Sequence, residues 1–210
     1  MAGSKLNLKS LYESSFDWVW PHLTGKPVPA PDDSLSVRTG DEAILGEMEH
    51  VIESRSNQAD ERLRTVETKL VALLTLTSVL SAAVTASFAA ASTMEIQKGF
   101  PLVPVWFTLV LVFYIAMNLL RSLWATVSGL IRRDYKQLTC EDIIPKDKEN
   151  KISYKVRILN EKLNHVKWNE WVVDQKVSEM AVAHKALRNA LVATGGVILV
   201  ALTTAVLKLL

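Results

Sequence analysis

The sequence predicts an all-α integral membrane protein with three transmembrane helices, two of them extended by long cytoplasmic helices of coiled-coil type. Three long uncharged runs and one heptad repeat predict this fold class. The runs are Leu70–Met94, Gly99–Leu120 and Asn189–Leu207, with 25, 22 and 19 residues. A helix needs about 20 apolar residues to cross the hydrocarbon core of a bilayer, so each run is long enough to span it.

Seven segments follow from these runs and from the composition between them. The first run begins too far into the chain, behind a mixed-charge segment, to be a cleavable signal peptide. In chain order we expect an aromatic and proline-rich arm (1–40), a cytoplasmic helix (41–69), transmembrane helix 1 (70–94), transmembrane helix 2 (99–123), a cytoplasmic connection (124–151), a cytoplasmic helix (152–188) and transmembrane helix 3 (189–210).

The distribution of Lys and Arg predicts the orientation in the membrane. Residues 1–69 contain eight of these cations and residues 121–188 contain fourteen, whereas the 95–98 loop and the C-terminal tail contain one each. Positive charge near the ends of spans stays in the cytoplasm. We therefore expect an inner (cytoplasmic) membrane protein with its N-terminus inside and its C-terminus outside.

The segment from Asp41 onward has the pattern of one long helix. Asp41 or Thr39 can cap its N-terminus. No proline or glycine separates the cytoplasmic helix from the first span, so we expect one continuous helix of about 50 residues. Apolar residues recur every seven positions through this helix and into the span: Leu45, Ile52, Ala59, Val66 and Leu73.

A second heptad seam runs from Ile152 to Leu191 and predicts left-handed coiling against a partner helix. The two cytoplasmic helices are expected to pack against each other and across subunits. Glu170 and His184 interrupt the seam, and each is either a solvated rim position or a residue that fixes register. The positions assigned to an oligomer seam are Val156, Leu159, Leu163, Val166, Val173, Val177 and Met180.

The first span carries a stripe of small and hydroxyl side chains on one helical face. Small residues allow close helix packing in lipid, and hydroxyls can also wet the wall of a pore without the cost of a charge. Both interpretations, packing face and pore lining, are open at this point. The hydroxyl stripe consists of Thr75, Ser78, Ala82, Thr85, Ala89 and Ser92.

Two further sets of residues are candidates for ligand or partner contacts. Phe16, Trp18 and Trp20 alternate ahead of a proline series, which favours an extended arm that packs on the body or docks a partner. The second cytoplasmic helix is basic at Lys155, Arg157 and Lys162. These cationic side chains either form a solvent-exposed face of the helix or contact a phosphate-bearing ligand.

The composition points away from several function classes. A net charge of +2 predicts no bulk nucleic-acid binding, and the single cysteine, Cys140, rules out a disulfide framework. The four histidines lack metal-ligand spacing, and no phosphate-binding loop or nucleophile elbow occurs. We therefore expect no enzyme activity, no metal and no cofactor.

Two junctions of similar form lead into the first and third spans. They are "DERLRTVETKLVALLT" and "WNEWVVDQKVSEMAVAHKALRNALVA", with Glu67 two residues before Lys69 and Asp174 two residues before Lys176. Over about residues 50–210 this layout resembles the transmembrane effectors of bacterial antiphage systems of the Pycsar, CBASS and Hailong type. The resemblance implies a protein that is inactive until infection and then impairs the inner membrane. It also implies a nucleotide or oligonucleotide signal from a partner enzyme, although residues 1–40 show no cyclic-nucleotide-binding fold.

Two functions are compatible with these features. The first is an oligomeric gated pore or membrane-disrupting effector, which receives its signal on the cytoplasmic helices. The second is a non-conducting membrane anchor or scaffold, which recruits a cytoplasmic partner. In both cases the lipid bilayer is a partner, and a homo-oligomer is expected.

Overall fold

All regular elements in the described part of the chain are α-helices, as predicted. In the computed structural model they are α1 (Glu42–Thr93), α2 (Leu102–Leu130), α3 (Cys140–Ile143) and α4 (Lys151–Leu209). The structure describes residues 21, 29–31, 36–39, 41–93, 102–131, 135–146 and 149–209. Side chains are described for all of these except 87–93, 102–105, 140, 204–205 and 207–209.

Helix α1 is unbroken over 52 residues, in agreement with the continuous helix that the sequence predicts. Asp41 caps it, because the backbone N–H of Ala43 donates to Asp41 Oδ1 at 2.9 Å. Glu42 adds an acidic side chain in the first turn, where the helix dipole favours negative charge.

The chain forms two compact units, and α1 and α4 contribute to both. The three-helix unit comprises Met1–Thr24, Leu70–Ser128 and Glu179–Leu210, and the two-helix unit comprises Gly25–Lys69 and Gly129–Ser178. Three helices are long and apolar enough to cross a membrane, over Glu42–Ala86, Trp106–Leu130 and Lys151–Thr203.

In the two-helix unit, α1 and α4 lie side by side and run in the same direction. Leu45 and Ile52 of α1 form one buried cluster with Leu159 and Val166 of α4, and Val37 completes it. Ala59 and Val66 are also buried, so the heptad row predicted on α1 is its buried face in this unit.

In the three-helix unit, α2 runs antiparallel to α4. Ser122 of α2 contacts Ala183 of α4, and Leu111 lies beside Gly196, so rising numbers on one helix meet falling numbers on the other. The core contains Leu73 of α1 with Ile115, Leu119, Val182 and Leu187. Helix α4 continues through Gly195 and Gly196 without a break.

Helix α2 extends past the predicted end of the second span. The sequence predicted that transmembrane helix 2 ends at residue 123, two residues after Arg121, whereas α2 continues to Leu130. The extra turns are stabilised by burial, because Ala125 and Thr126 are fully buried in the three-helix unit. Residues 99–101, the predicted start of this span, lie outside the described residues.

Candidate functional site

The described part of the hydroxyl stripe lies on the outer surface of the three-helix unit. Thr75, Ser78, Ala82 and Thr85 are all exposed, and the side chains of Ala89 and Ser92 lie outside the described residues. The three hydroxyls donate to backbone carbonyls four residues earlier, at Val71, Leu74 and Ser81, over 2.8–3.0 Å. Their hydrogen-bonding capacity is therefore partly satisfied within α1 itself.

The packing face of α1 is on the other side of the helix. Leu73 and Thr77 are buried, and Leu80 and Val84 pack against the core of the three-helix unit. The described stripe residues therefore take no part in the core of a single chain. Their neighbours must be lipid, water or another molecule.

The outer surfaces of α2 and α4 have a different composition from the stripe. Most of the exposed side chains on α2, and on α4 beyond Arg188, are large and apolar, which suits contact with lipid tails, whereas small residues are favoured where membrane helices meet each other. Helix α1 also exposes large apolar side chains beside the stripe, at Val71, Leu76 and Val79. The large apolar exposed residues of α2 are Trp106, Phe107, Leu109, Val110, Phe113, Leu120, Leu123, Trp124 and Val127, and those of α4 beyond Arg188 are Leu191, Val192, Ile198, Leu199, Leu202 and Val206.

A buried polar junction joins the three helices on the inner side of this unit. Thr77 Oγ1 and Ser122 Oγ are 3.1 Å apart, and Ser122 Oγ also lies 3.2 Å from the carbonyl oxygen of Ala183. Thr126 Oγ1 donates to the Ser122 carbonyl at 2.8 Å. Sequence reasoning missed this junction, although Ser122 and Thr126, four residues apart within an apolar helix, carried a signal for it.

Asn118 is another buried polar residue of α2. It is 1% exposed. Its Nδ2 donates to the Tyr114 carbonyl at 3.0 Å, whereas Oδ1 is buried and has no hydrogen-bond partner. A buried acceptor without a donor is costly, so this oxygen lowers the stability of the three-helix unit.

The predicted oligomer seam on α4 makes contacts within the chain. Leu159 and Val166 are core residues of the two-helix unit, and Val156 and Leu163 pack against them. Val173 is fully buried, Val177 is half-buried, and Met180 packs against the core of the three-helix unit. Contacts between chains through the same positions stay a prediction.

The two polar positions of the seam are both accessible to solvent. Glu170 is partly exposed, and its carboxylate lies 3.8 Å from Arg55 of α1. His184 is exposed in the three-helix unit. These locations fit the solvated-rim interpretation of each residue within a single chain.

Charged pairs connect α1 and α4 along the two-helix unit. Lys151 Nζ lies 2.7 Å from Glu42, and Arg62 lies 2.9 Å from Asp174. At the junctions quoted above, the acid of one helix pairs with the lysine of the other: Lys176 Nζ donates to Glu67 Oε1 at 2.7 Å. Lys176 is buried, which makes this pair different from the exposed pairs beside it.

The predicted ligand contacts have different environments. Lys155 and Lys162 both approach Glu49, at 3.9 and 3.1 Å. Phe16, Trp18 and Trp20 lie outside the described residues, but Pro21 directly after them is buried, and its carbonyl accepts a hydrogen bond from Arg121 Nε at 2.9 Å. The roles of these side chains toward a ligand stay predictions.

A cleft in the two-helix unit is a candidate site for a small ligand. Its volume is about 290 Å³, at the small end of the range for ligand pockets. Lys162 and His165 line it, and Nδ1 of His165 is buried with no hydrogen-bond partner. The cleft therefore has both polar and apolar walls, and His165 contributes a ring nitrogen that no other group satisfies.

Other lining residues of this cleft are held in place by hydrogen bonds. Tyr135 donates its hydroxyl to Asp60, and Asn169 bonds to both the N–H and the carbonyl of Lys136 at 3.0 Å. Burial, followed by the nearby Asp60 carboxylate, raises the pKa of the Tyr135 hydroxyl above its ordinary value. Tyr135 therefore stays protonated and remains a donor at neutral pH.

Arg157 holds the connection between α3 and α4. Its guanidinium donates to the carbonyls of Asp142 and Ile144 at 2.7 and 3.0 Å, and to both carboxylate oxygens of Glu149 at 3.0 Å. The hydrogen bond from Arg157 lowers the pKa of Glu149. The sequence predicted Arg157 as a ligand contact, but in the structure all three of its guanidinium nitrogens hold the connection in place.

Arg157→Lys is expected to loosen the connection, because an ammonium cannot reproduce the forked contacts of a guanidinium. Hydrogen-exchange protection of the amides at 142–146 should fall about tenfold, the equivalent of one charge-assisted hydrogen bond. Lys155→Arg, two residues earlier on α4, is the matched control and should leave protection unchanged. Equal protection in all three proteins would contradict this role.

Acid should have the same effect as the Arg157→Lys substitution. The pKa of Glu149 is lower in the folded chain than in an unfolded one. The stabilisation of the connection by ionised Glu149 is therefore complete above the ordinary glutamate pKa, and it is lost as the pH falls through the lowered pKa. Protection factors at 142–146, corrected for intrinsic exchange, should therefore decline below about pH 4 in the native chain. The decline should be smaller in Arg157→Lys.

Comparison with known proteins gives no family for this chain. No family model, no curated protein and no solved structure matches it. The resemblance to antiphage effectors consequently stays an expectation, and the function has to be argued from the geometry.

Proposed function

We propose that the protein is an oligomeric, gated pore of the inner membrane, with the hydroxyl stripe of α1 as its lining. The observation that carries this proposal is the contrast between the outer surfaces of the three helices. The exposed stripe of α1 around Ser78 and Thr85 is small and hydroxylated, although Leu76 and Val79 are exposed beside it, whereas most exposed side chains of α2, and of α4 beyond Arg188, are large and apolar. A helix bundle with α1 inward and the other two helices toward lipid accommodates all three surfaces.

Two tryptophans on α2 support a membrane placement. Trp106 and Trp124 are 64% and 68% exposed. They are 18 residues apart, which is five helical turns, so they share one face and are separated by about 27 Å. That distance is close to the roughly 30 Å hydrocarbon thickness, and tryptophan favours the two interfaces.

The stripe has the length that this placement requires. The contact between Thr77 and Ser122 sets the level of α1 relative to α2. Thr75 then lies close to the level of Trp124, and the stripe extends about 25 Å along the helix to Ser92. A hydroxylated surface of this length would cross the bilayer from one interface to the other.

We place the signal site on the two-helix unit, at the cleft between Asp60 and His165. Both long helices continue from that unit into the three-helix unit. A ligand that changes the packing of the helix pair can thereby act on the spans. In this proposal the N-terminus is inside, the C-terminus is outside, and the ligand is a small polar molecule.

One observation favours the non-conducting alternative. The stripe hydroxyls already donate to their own backbone, so they have no absolute need of water. A stripe of this kind can join copies of the chain tightly and serve an anchor or scaffold that recruits a cytoplasmic partner.

Planar-bilayer recording of the purified protein separates these functions. Candidate nucleotides are added on the side of residues 121–188, and the native chain should give discrete current steps that a ligand changes. Ser78→Leu with Thr85→Leu should reduce the current at least about tenfold, because the leucines narrow and dry the lining. Val110→Leu with Val127→Leu, at exposed positions of α2, is the matched control and should conduct normally.

Crosslinking of each variant must show that insertion and assembly are retained. An unchanged current in the stripe variant would contradict the assignment of the hydroxyl stripe as the pore lining. Silence from an inserted, oligomeric native chain would favour the anchor.

The biological setting is proposed from the resemblance alone. Expression in bacteria should protect the culture from phage by impairing infected cells, and the stripe variant should lose that protection. Equal phage yields with and without the native chain would argue against a defence role.

A further inference from the structure

The part of α1 that lines the cleft of the two-helix unit is polar along one face. Spacings of three and four residues place these side chains on the same side of the helix. They are Glu53, Ser56, Asn57 and Asp60. The other polar lining residues are Tyr135, Lys136 and Gln137, between α2 and α3, and Lys162, His165 and Asn169 of α4. A ligand in the cleft therefore meets polar groups from three segments of the chain.

Both lysines of the cleft already have partners. Nζ of Lys162 donates to Glu49 at 3.1 Å, and Glu49 is not one of the lining residues. Nζ of Lys136 lies 4.6 Å from the centroid of the Trp168 ring, which is a cation–π distance, and the Lys136 backbone is held by Asn169. An anionic ligand would have to draw one of these ammonium groups away from its partner.

The hydrogen-bond acceptors of the cleft, in contrast, are only partly used. Glu53 is exposed and has no hydrogen bond or ion pair with any residue that the structure describes. Asp60 accepts a hydrogen bond from Tyr135, whereas an ionised carboxylate has about four acceptor positions. Nδ1 of His165 is buried without a partner in the described part of the chain, and it is an acceptor when the ring proton is on Nε2. The cleft therefore has free acceptors and no free cation.

An aliphatic ammonium group complements this arrangement. It has three donors and no acceptor, and its hydrogen bonds to a carboxylate are stronger than those between neutral groups. The apolar lining residues, which can contact a short alkyl chain, are Ile52, Leu138 and Val166. A phosphate group has only acceptors to offer, and it would be repelled by the unpaired charge of Glu53. The cleft volume of about 290 Å³ is sufficient for a ligand of a few carbon atoms.

We propose that the cleft binds a small organic ammonium ion, namely a short aliphatic amine, in preference to a phosphate-bearing ligand. Glu53 accepts hydrogen bonds from the ammonium group, and the apolar lining residues contact the alkyl chain. The inference rests on the proposed function for the role of this cleft as the signal site, and it names the ligand class. It differs from the phosphate-bearing ligand that the sequence left open for Lys162, because Lys162 is paired with Glu49.

Protection of an introduced cysteine tests this inference on the full chain in detergent micelles. Cys140 is the only cysteine, so Cys140→Ser gives a background without thiols. Ser56→Cys places the reporter in the cleft, and its reaction with methyl methanethiosulfonate, an uncharged reagent, is followed over time. Butylamine is compared with monobutyl phosphate, which carries the same alkyl chain.

Butylamine should slow the reaction of Ser56→Cys about threefold once its concentration reaches twice the Kd, and monobutyl phosphate should leave the rate unchanged. Adding Glu53→Gln should remove the protection, because the ammonium group loses its free carboxylate. Glu47→Gln is the matched control and should retain protection, since Glu47 is an exposed acid of α1 that does not line the cleft. The inference would be overturned by no protection from millimolar butylamine, by equal protection from both compounds, or by protection that survives Glu53→Gln.

Butylamine added in the planar-bilayer recording separates this inference from the proposed function. Protection of the cysteine, together with a current that butylamine does not change, would support the ligand class and contradict the role of the cleft as the signal site. A conducting native chain without protection would support the pore and overturn the ligand class. If Ser56→Cys does not fold, as judged by circular dichroism, Asn57→Cys replaces it as the reporter, since Asn57 also lines the cleft and is exposed.

Discussion

Replacing Glu67 with alanine is expected to lower the free energy of unfolding by about 2–3 kcal/mol, the cost of removing a charged partner from a buried hydrogen bond. The side chain of Lys176 is 4% exposed, and its ammonium donates to Glu67 at 2.7 Å. Without the carboxylate, a buried cation loses its counter-charge. Glu67 itself is 42% exposed, so water enters the gap and keeps the loss below that of a fully buried pair.

The neighbouring pair supplies the control for this prediction. Asp174 and Arg62 are also within hydrogen-bond distance, but both side chains are more than half exposed. Asp174→Asn should cost less than about 1 kcal/mol, as exposed pairs do. Lys176→Met combined with Glu67→Gln should recover most of the stability lost in Glu67→Ala, because the double variant leaves no buried charge. Equal losses at the two pairs would contradict the role of burial.

The second large effect is expected at Leu159, which is 1% exposed in the core of the two-helix unit. Leu159→Ala should lower the free energy of unfolding by about 2–5 kcal/mol, through lost transfer energy and the cavity that remains. Leu159 lies in one cluster with Leu45 and Ile52 of α1, so the substitution should separate the helix pair before it affects the three-helix unit.

Denaturant titration in detergent micelles, followed by circular dichroism, measures both effects. Ile152→Ala is the matched control for Leu159→Ala, because it removes an aliphatic side chain of the same size from an exposed position on the same helix. It should change stability by less than about 0.5 kcal/mol. A similar loss in both variants would mean that the helix pair is not a cooperative core.

Local signals were sufficient for the long helices. The cap at Asp41, the absence of proline from Asp41 to Thr93 and the seven-residue row from Leu45 to Val66 depend only on neighbours in the sequence. They predict a continuous helix and its buried face because backbone propensity and apolar periodicity act over a few turns. The structure agrees with both.

The polar residues of the three-helix unit could not be assigned in the same way. The charge of Arg121 suggested that the second span ends at 123, whereas Ser122 and Thr126 are buried and α2 continues to Leu130. Whether a serine in an apolar helix faces lipid, water or another helix depends on residues far away in the chain. The partners of Ser122, Thr77 and Ala183, are 45 and 61 positions distant.

The sequence by itself determined that this chain forms long helices, three of them apolar enough to cross a membrane, and that the stripe around Ser78 occupies one face. Only the tertiary structure decided that the described part of this face points away from the core, that Lys176 pairs with Glu67, and that Ser122 lies against Thr77 and Ala183. The physical reason is the range of the interactions. Helix formation and amphipathicity are set by residues within a few turns, whereas burial and charge pairing depend on which helices meet and in which register.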